Sequence, residues 1–77
     1  VLVDLYLIRN IWEMNNNLKN LRKIKNVSQN DLADALSVSR QTINSIENGK
    51  FDPSLTLAIK LTRYFNVSID EIFTYED

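Results

Sequence analysis

From Leu18 onward, apolar residues recur at helical spacing, and short polar clusters cut the pattern into five pieces. Leu18 and Leu21 stand at i, i+3 in the segment Leu18 to Lys25, with Arg22 flanking the same stripe and Lys19 and Lys23 facing away. Asn26, which tolerates positive φ, is the expected stop. A second helix is predicted over Gln29 to Leu36, burying Leu32, Ala33 and Leu36. Ser28 with Asp31 three residues on opens it as a capping box, Asp replacing the usual Glu or Gln. Val38 plugs the following turn. A third helix runs from Arg40 to about Asn48, capped by Ser39 and stopped by Gly49. Beyond the loop Lys50–Pro53, a fourth helix, about Ser54 to Phe65, has the densest apolar stripe: Leu55, Ala58, Ile59, Leu61, Thr62 and Phe65, expected in the core. Asn66 stops it. Ser68 to Glu71 repeats the Ser-x-x-acid pattern ahead of a short helix around Ile69–Phe73, and Thr74-Tyr75 has the β-propensity to pair with the Asn15–Leu18 entry.

The third helix divides into two faces. Ile43, Ile46 and Glu47 fall at i, i+3, i+4 on one side, and Gln41, Asn44, Ser45 and Asn48 share that spacing on the other, with Arg40 at the leading end. Amides and guanidinium match the paired donors and acceptors of adenine and guanine in the major groove. Arg40 suits guanine O6 and N7, Gln41 suits adenine N6 and N7, and Asn44 and Ser45 complete the candidate base-reading set. Taken alone, such a short polar face also fits an ordinary solvated surface.

The run Q-x-x-L-A-x-x-L-x-V-S-x-x-x-I-x-x-I-E-N-G-K, Gln29 through Lys50, strongly resembles the lambda-repressor-like, Cro/C1 (XRE) family of helix-turn-helix transcriptional regulators. The resemblance extends over about residues 15 to 73. It implies an all-α, five-helix lambda-repressor-like DNA-binding domain, with room for a small terminal β-ribbon such as some close relatives have. It also implies phosphate contacts for Gln29 and Lys50, to which Ser39 and Thr42 are added as candidates; Thr42 equally suits a thymine methyl or a plain helix position. Glu47 faces inward beside Ile43 and Ile46, and an unpaired buried carboxylate is costly, so a cationic partner is expected. Arg22 is the natural candidate, and the resemblance supports an Arg–Glu pair there. Ser37 stands where the family often has glycine. If its φ is positive, it costs about 1 kcal/mol relative to Gly.

The chain of 77 residues has a formal charge of −1, without a global basic signature. Between Lys19 and Lys50, however, Lys19, Arg22, Lys23, Lys25, Arg40 and Lys50 face only Asp31, Asp34 and Glu47, a local excess of +3. The positive half holds the motif, as phosphate binding needs, and an excess this small predicts weak, salt-sensitive non-specific affinity. Cysteine and histidine are both absent, which removes disulfides, thiolate and imidazole metal sites, and Cys–His or Ser–His catalysis. The single glycine argues against a nucleotide-cradling loop. An enzyme therefore fails on inventory, and no cofactor, metal or membrane contact is expected. Cysteine-free composition suits the cytoplasm.

Residues 1–13, VLVDLYLIRNIWE, do not continue the pattern; nine of them are apolar or aromatic. Three readings stand: an element docking on the domain or its partner, a disordered leader, or upstream sequence read in frame with Met14 as the natural start. Residues 14–77 form the domain, and 29–48 its helix-turn-helix motif. One recognition helix reads few base pairs, so the expected species is a homodimer on a palindromic operator in double-stranded DNA, acting as a repressor. Ile69, Ile72, Phe73 and Tyr75 are the candidate dimer surface, and the same residues also suit the monomer core. The rival from another class is an antitoxin-like protein-interaction module on the same fold.

Overall fold

The computed structural model describes residues 15–74. Within them the order is β1 (Asn15–Asn16), α1 (Leu18–Lys25), α2 (Gln29–Leu36), α3 (Arg40–Glu47), α4 (Leu55–Phe65), α5 (Ile69–Ile72) and β2 (Phe73–Thr74). The five helices enclose one core, and the two strands close its ends together.

Helix boundaries follow from local chemistry. Ser28 Oγ accepts from the Asp31 N–H at 3.0 Å while Asp31 Oδ2 accepts from the Ser28 N–H at 3.0 Å, completing the expected box. Ser39 and Ser54 cap α3 and α4 by accepting from Thr42 and Leu57 N–H, and Glu71 Oε2 takes the Ser68 N–H ahead of α5. Each serine cap contributes about 1 kcal/mol by satisfying a donor that the helix leaves free. Four helices stop by one device. Asn26, Ser37, Gly49 and Asn66 have φ of 60°, 59°, 71° and 55°. The next residue's N–H then reaches back five residues, as from Val38 to Ala33 O at 3.0 Å and from Lys50 to Ser45 O at 2.9 Å. Ser37 thus occupies the left-handed conformation that glycine takes without a Cβ clash.

The core is built from Leu18, Leu32, Ala33, Leu36, Ile43, Ile46, Leu57, Leu61 and Ile72, with Leu21, Val38, Tyr64, Phe65, Val67 and Phe73 packed around it. Two expectations are corrected here. The buried stripe of α4 is Leu57, Ala58 and Leu61; Leu55 is 74% exposed and Ile59 43%. The helix is rotated so that Leu57, not Leu55, joins the core. Ile72, for which a dimer surface and the monomer core were both open, is only 1% exposed and closes the monomer core, which removes it from the candidate dimer residues. Ile69 is 45% exposed and Phe73 half-buried, while Tyr75 lies outside the described residues, as do residues 1–14.

The terminal ribbon is antiparallel, pairing Asn15 with Thr74 and Asn16 with Phe73, so the second strand begins one residue earlier than expected and takes Phe73 from the last helix. The Asn17 N–H adds a 2.7 Å bond to Ile72 O.

Candidate nucleic-acid interface

α2 and α3 form the turn-linked pair, and α3 is set by contacts from three sides. Ile43 and Ile46 are fully buried against the core. At its C-terminal end, Arg22 from α1 forks onto Glu47, with Nε 2.7 Å from Oε2 and Nη2 3.2 Å from Oε1. The side chains are 14% and 3% exposed, so the pair is nearly sealed from water. Arg22 Nη1 also donates to Val27 O at 3.1 Å, tying the α1–α2 turn into the same cluster. The hydrogen bond to Glu47 raises the Arg22 pKa from its ordinary value; burial opposes the rise, and the charge of Glu47 adds to it.

Gln29, a candidate for phosphate, has a partner inside the domain. Its Nε2 donates to Glu47 Oε1 at 3.1 Å, so the amide proposed for phosphate already holds the recognition helix. Asn16 makes a contact that the sequence did not reveal: Nδ2 donates to Ile46 O at 2.7 Å, satisfying a carbonyl of the last turn of α3. Its Oδ1 accepts from the Leu18 N–H at 3.2 Å, so one side chain links the ribbon, α1 and α3. A separation of 30 residues leaves no local signal for this bond.

The outward face of α3 carries Arg40, Gln41 and Asn44, all exposed, with Ser45 half-buried beside them. Asn44 Oδ1 accepts from Asn48 Nδ2 at 3.1 Å, which orients the Asn44 amide along the helix. Thr42 Oγ1 lies 2.9 Å from Ser39 Oγ, so these two hydroxyls share one position at the N-terminus of α3. Ser39, Gln41, Thr42, Ser45, Lys50 and Phe51 surround a surface hollow of about 320 Å³. The structure therefore brings Gln41 and Ser45 together with Ser39, Thr42 and Lys50. Phe51 joins that group without a forewarning in the pattern beyond its place directly after the helix.

Lysines elsewhere have other partners. Lys25 Nζ stands 4.9 Å over the ring of Tyr64, which meets Phe65 edge-on at 5.0 Å, and Lys60 Nζ donates to Leu36 O at 3.4 Å. The first is a cation–π contact between α1 and α4; the second places a cation at the C-terminus of α2.

Such a helix pair, with a buried inner face and an exposed amide-rich outer one, defines a helix-turn-helix DNA-binding domain. The helix-turn-helix family model matches residues 18–72, and the chain belongs to that family, in its Cro/C1-type (XRE) branch. It is 56% identical over 64 residues to an HTH-type transcriptional regulator of Methanocaldococcus jannaschii, covering 83% of this chain and 97% of that protein. It is 38% identical over 65 residues to the HTH-type transcriptional activator BcrR of Enterococcus faecalis, covering 84% of this chain and 32% of that one. Among solved structures, the restriction-modification controller protein C.AhdI from Aeromonas hydrophila superposes with a TM-score of 0.64 at 30% identity, over 70% of this chain and 82% of that one. The chain is a transcriptional regulator with a helix-turn-helix DNA-binding domain. Among the described residues, no helix is long and apolar enough to cross a membrane.

Proposed function

We propose that this regulator is a dimeric repressor that occupies a palindromic operator, one α3 entering the major groove of each half-site. The observation that carries the reading is the division of α3: Ile43 and Ile46 are sealed in the core while Arg40, Gln41 and Asn44 stand exposed on the opposite side. Arg40 takes guanine O6 and N7, Gln41 adenine N6 and N7, and Asn44 and Ser45 read neighbouring edges, each good bidentate pair giving about 1–3 kcal/mol of discrimination. Ser39, Thr42 and Lys50 hold phosphates. Gln29 keeps a second amide hydrogen for a phosphate while the first stays on Glu47.

The dimer surface in this proposal is the apolar patch of Leu55, Ile59, Ile69 and Phe73 rather than Ile72. Leu55, Ile69 and Phe73 share a groove of about 440 Å³ with Asp52, Pro53, Ala58 and Asp70. Exposed apolar area of this kind favours self-association, and two domains then span half-sites about one helical turn apart.

The test is anisotropy binding to the duplex upstream of the protein's own gene, against a scrambled duplex, across a salt series. The upstream duplex is expected to win by roughly a thousandfold. An Arg40→Ala/Gln41→Ala variant is expected to lose that preference while retaining weak, salt-dependent binding. Equal weak binding of both duplexes by the unaltered protein would overturn the reading at this operator. A reporter driven by the same duplex separates repression from activation, since output falls with a repressor and rises with an activator such as the Enterococcus relative is named.

A further inference from the structure

Phe51 is 49% exposed, yet it lines a hollow whose other residues, Ser39, Gln41, Thr42, Ser45 and Lys50, are all polar. Its position is fixed by the chain reversal after α3. Gly49 turns with φ 71°, and the Lys50 N–H bonds back to Ser45 O at 2.9 Å, which presses the start of the loop against the recognition helix. The ring thereby lines the same hollow as Gln41 and Ser45. It belongs neither to the core cluster nor to the lining of the apolar groove that holds Leu55 and Ile69.

A half-exposed phenylalanine set next to an amide and a hydroxyl suits a partner that carries an apolar group among polar ones. The major-groove edge of a base pair offers one such group, the C5-methyl of thymine. We infer that Phe51 is a further specificity determinant, its ring packing on a thymine methyl at the edge of the site read by α3. The inference rests on the DNA-reading role proposed above for the α3 face. It adds a preference that Arg40, Gln41, Asn44 and Ser45 cannot supply, because hydrogen-bonding groups do not distinguish thymine from uracil in the groove.

The experiment begins with selection of a preferred site from a random duplex library by the full chain. Each thymine of that site is then replaced singly by deoxyuridine, which removes the methyl and leaves base pairing intact. The unaltered protein is expected to lose about fourfold in affinity at one thymine per half-site, the worth of one buried methyl at ~0.8 kcal/mol. Phe51→Ala, folded by its circular dichroism and melting curve, is expected to bind thymine and deoxyuridine equally at that position while keeping its preference at the others. Indifference of the unaltered protein to every replacement overturns the inference, as does an unchanged deoxyuridine penalty in Phe51→Ala. A library that yields no enriched site overturns the DNA-reading role itself, which is a distinct result.

Discussion

Arg22 Nε lies 2.7 Å from Glu47 Oε2, and through this fork α1 grips the final residue of the recognition helix. Glu47 also receives Gln29, so three helices meet at one carboxylate that is only 3% exposed. A planar guanidinium supplies two bonds to Glu47 and a third to Val27 O, a geometry that lysine cannot reproduce. The pair therefore ties the C-terminal end of α3 to α1 and to the turn that follows it.

Removing one partner leaves a charge in a site with little access to water. Arg22→Ala is expected to destabilise the domain by roughly 3 kcal/mol. Denaturant titration of the two proteins checks this, and an unaltered midpoint would contradict it. Arg22→Lys should recover only part of the loss.

Ser37 holds φ 59° with a side chain that the left-handed region disfavours. Ser37→Gly is expected to stabilise the domain by about 1 kcal/mol. For a domain of this size, that raises Tm by roughly 4–8 °C in a thermal melt.

The two leucines at the start of α4 should separate by energy. Leu57 is buried and Leu55 is 74% exposed. Leu57→Ala is expected to cost about 2–5 kcal/mol through lost packing and a cavity, while Leu55→Ala stays within about 0.5 kcal/mol at concentrations where the chain is monomeric. If Leu55 lies at a dimer interface, Leu55→Glu shifts the sedimentation profile toward monomer at higher concentration.

Asn16 donates to Ile46 O, and its loss leaves a carbonyl of the last α3 turn without that donor. Asn16→Ala is expected to cost about 1 kcal/mol. Amide exchange at the C-terminal turn of α3 should quicken as a result, and an exchange pattern unchanged there would remove this role from Asn16.

Asp31 gives the domain an acid-sensitive cap. Hydrogen bonds from the Ser28 backbone N–H first, and from the Ser28 side chain second, hold its pKa below the ordinary 3.8. A carboxyl lowered on folding stabilises the native state above its unfolded pKa and loses that contribution as pH falls through the folded value. The difference in Tm between the unaltered protein and Asp31→Asn is therefore expected to be present at neutral pH and to shrink below pH 3.8. A difference constant down to strongly acidic pH would dissociate Asp31 from the effect.

The limits of α1 to α4 are local matters, and the sequence alone determined them, whereas the end of α5 was set by the pairing of Phe73 with Asn16. Ser28, Ser39 and Ser54 supply an oxygen to donors three residues away, and Asn26, Ser37, Gly49 and Asn66 enter the left-handed region within two residues of each stop. The inward aspect of Glu47 was also legible, because i, i+3, i+4 spacing puts it beside Ile43 and Ile46, and a charge so placed demands a cation. Tertiary structure decided what lies between elements. Leu55, Leu57, Ala58, Ile59 and Leu61 encircle more than one face of α4, so its rotation depends on the neighbours rather than on its own pattern. Burial of Ile72 and the bond from Asn16 across 30 residues to Ile46 arise in the same way. Each depends on the distance between segments that only the closed core brings together, and no local preference encodes that distance.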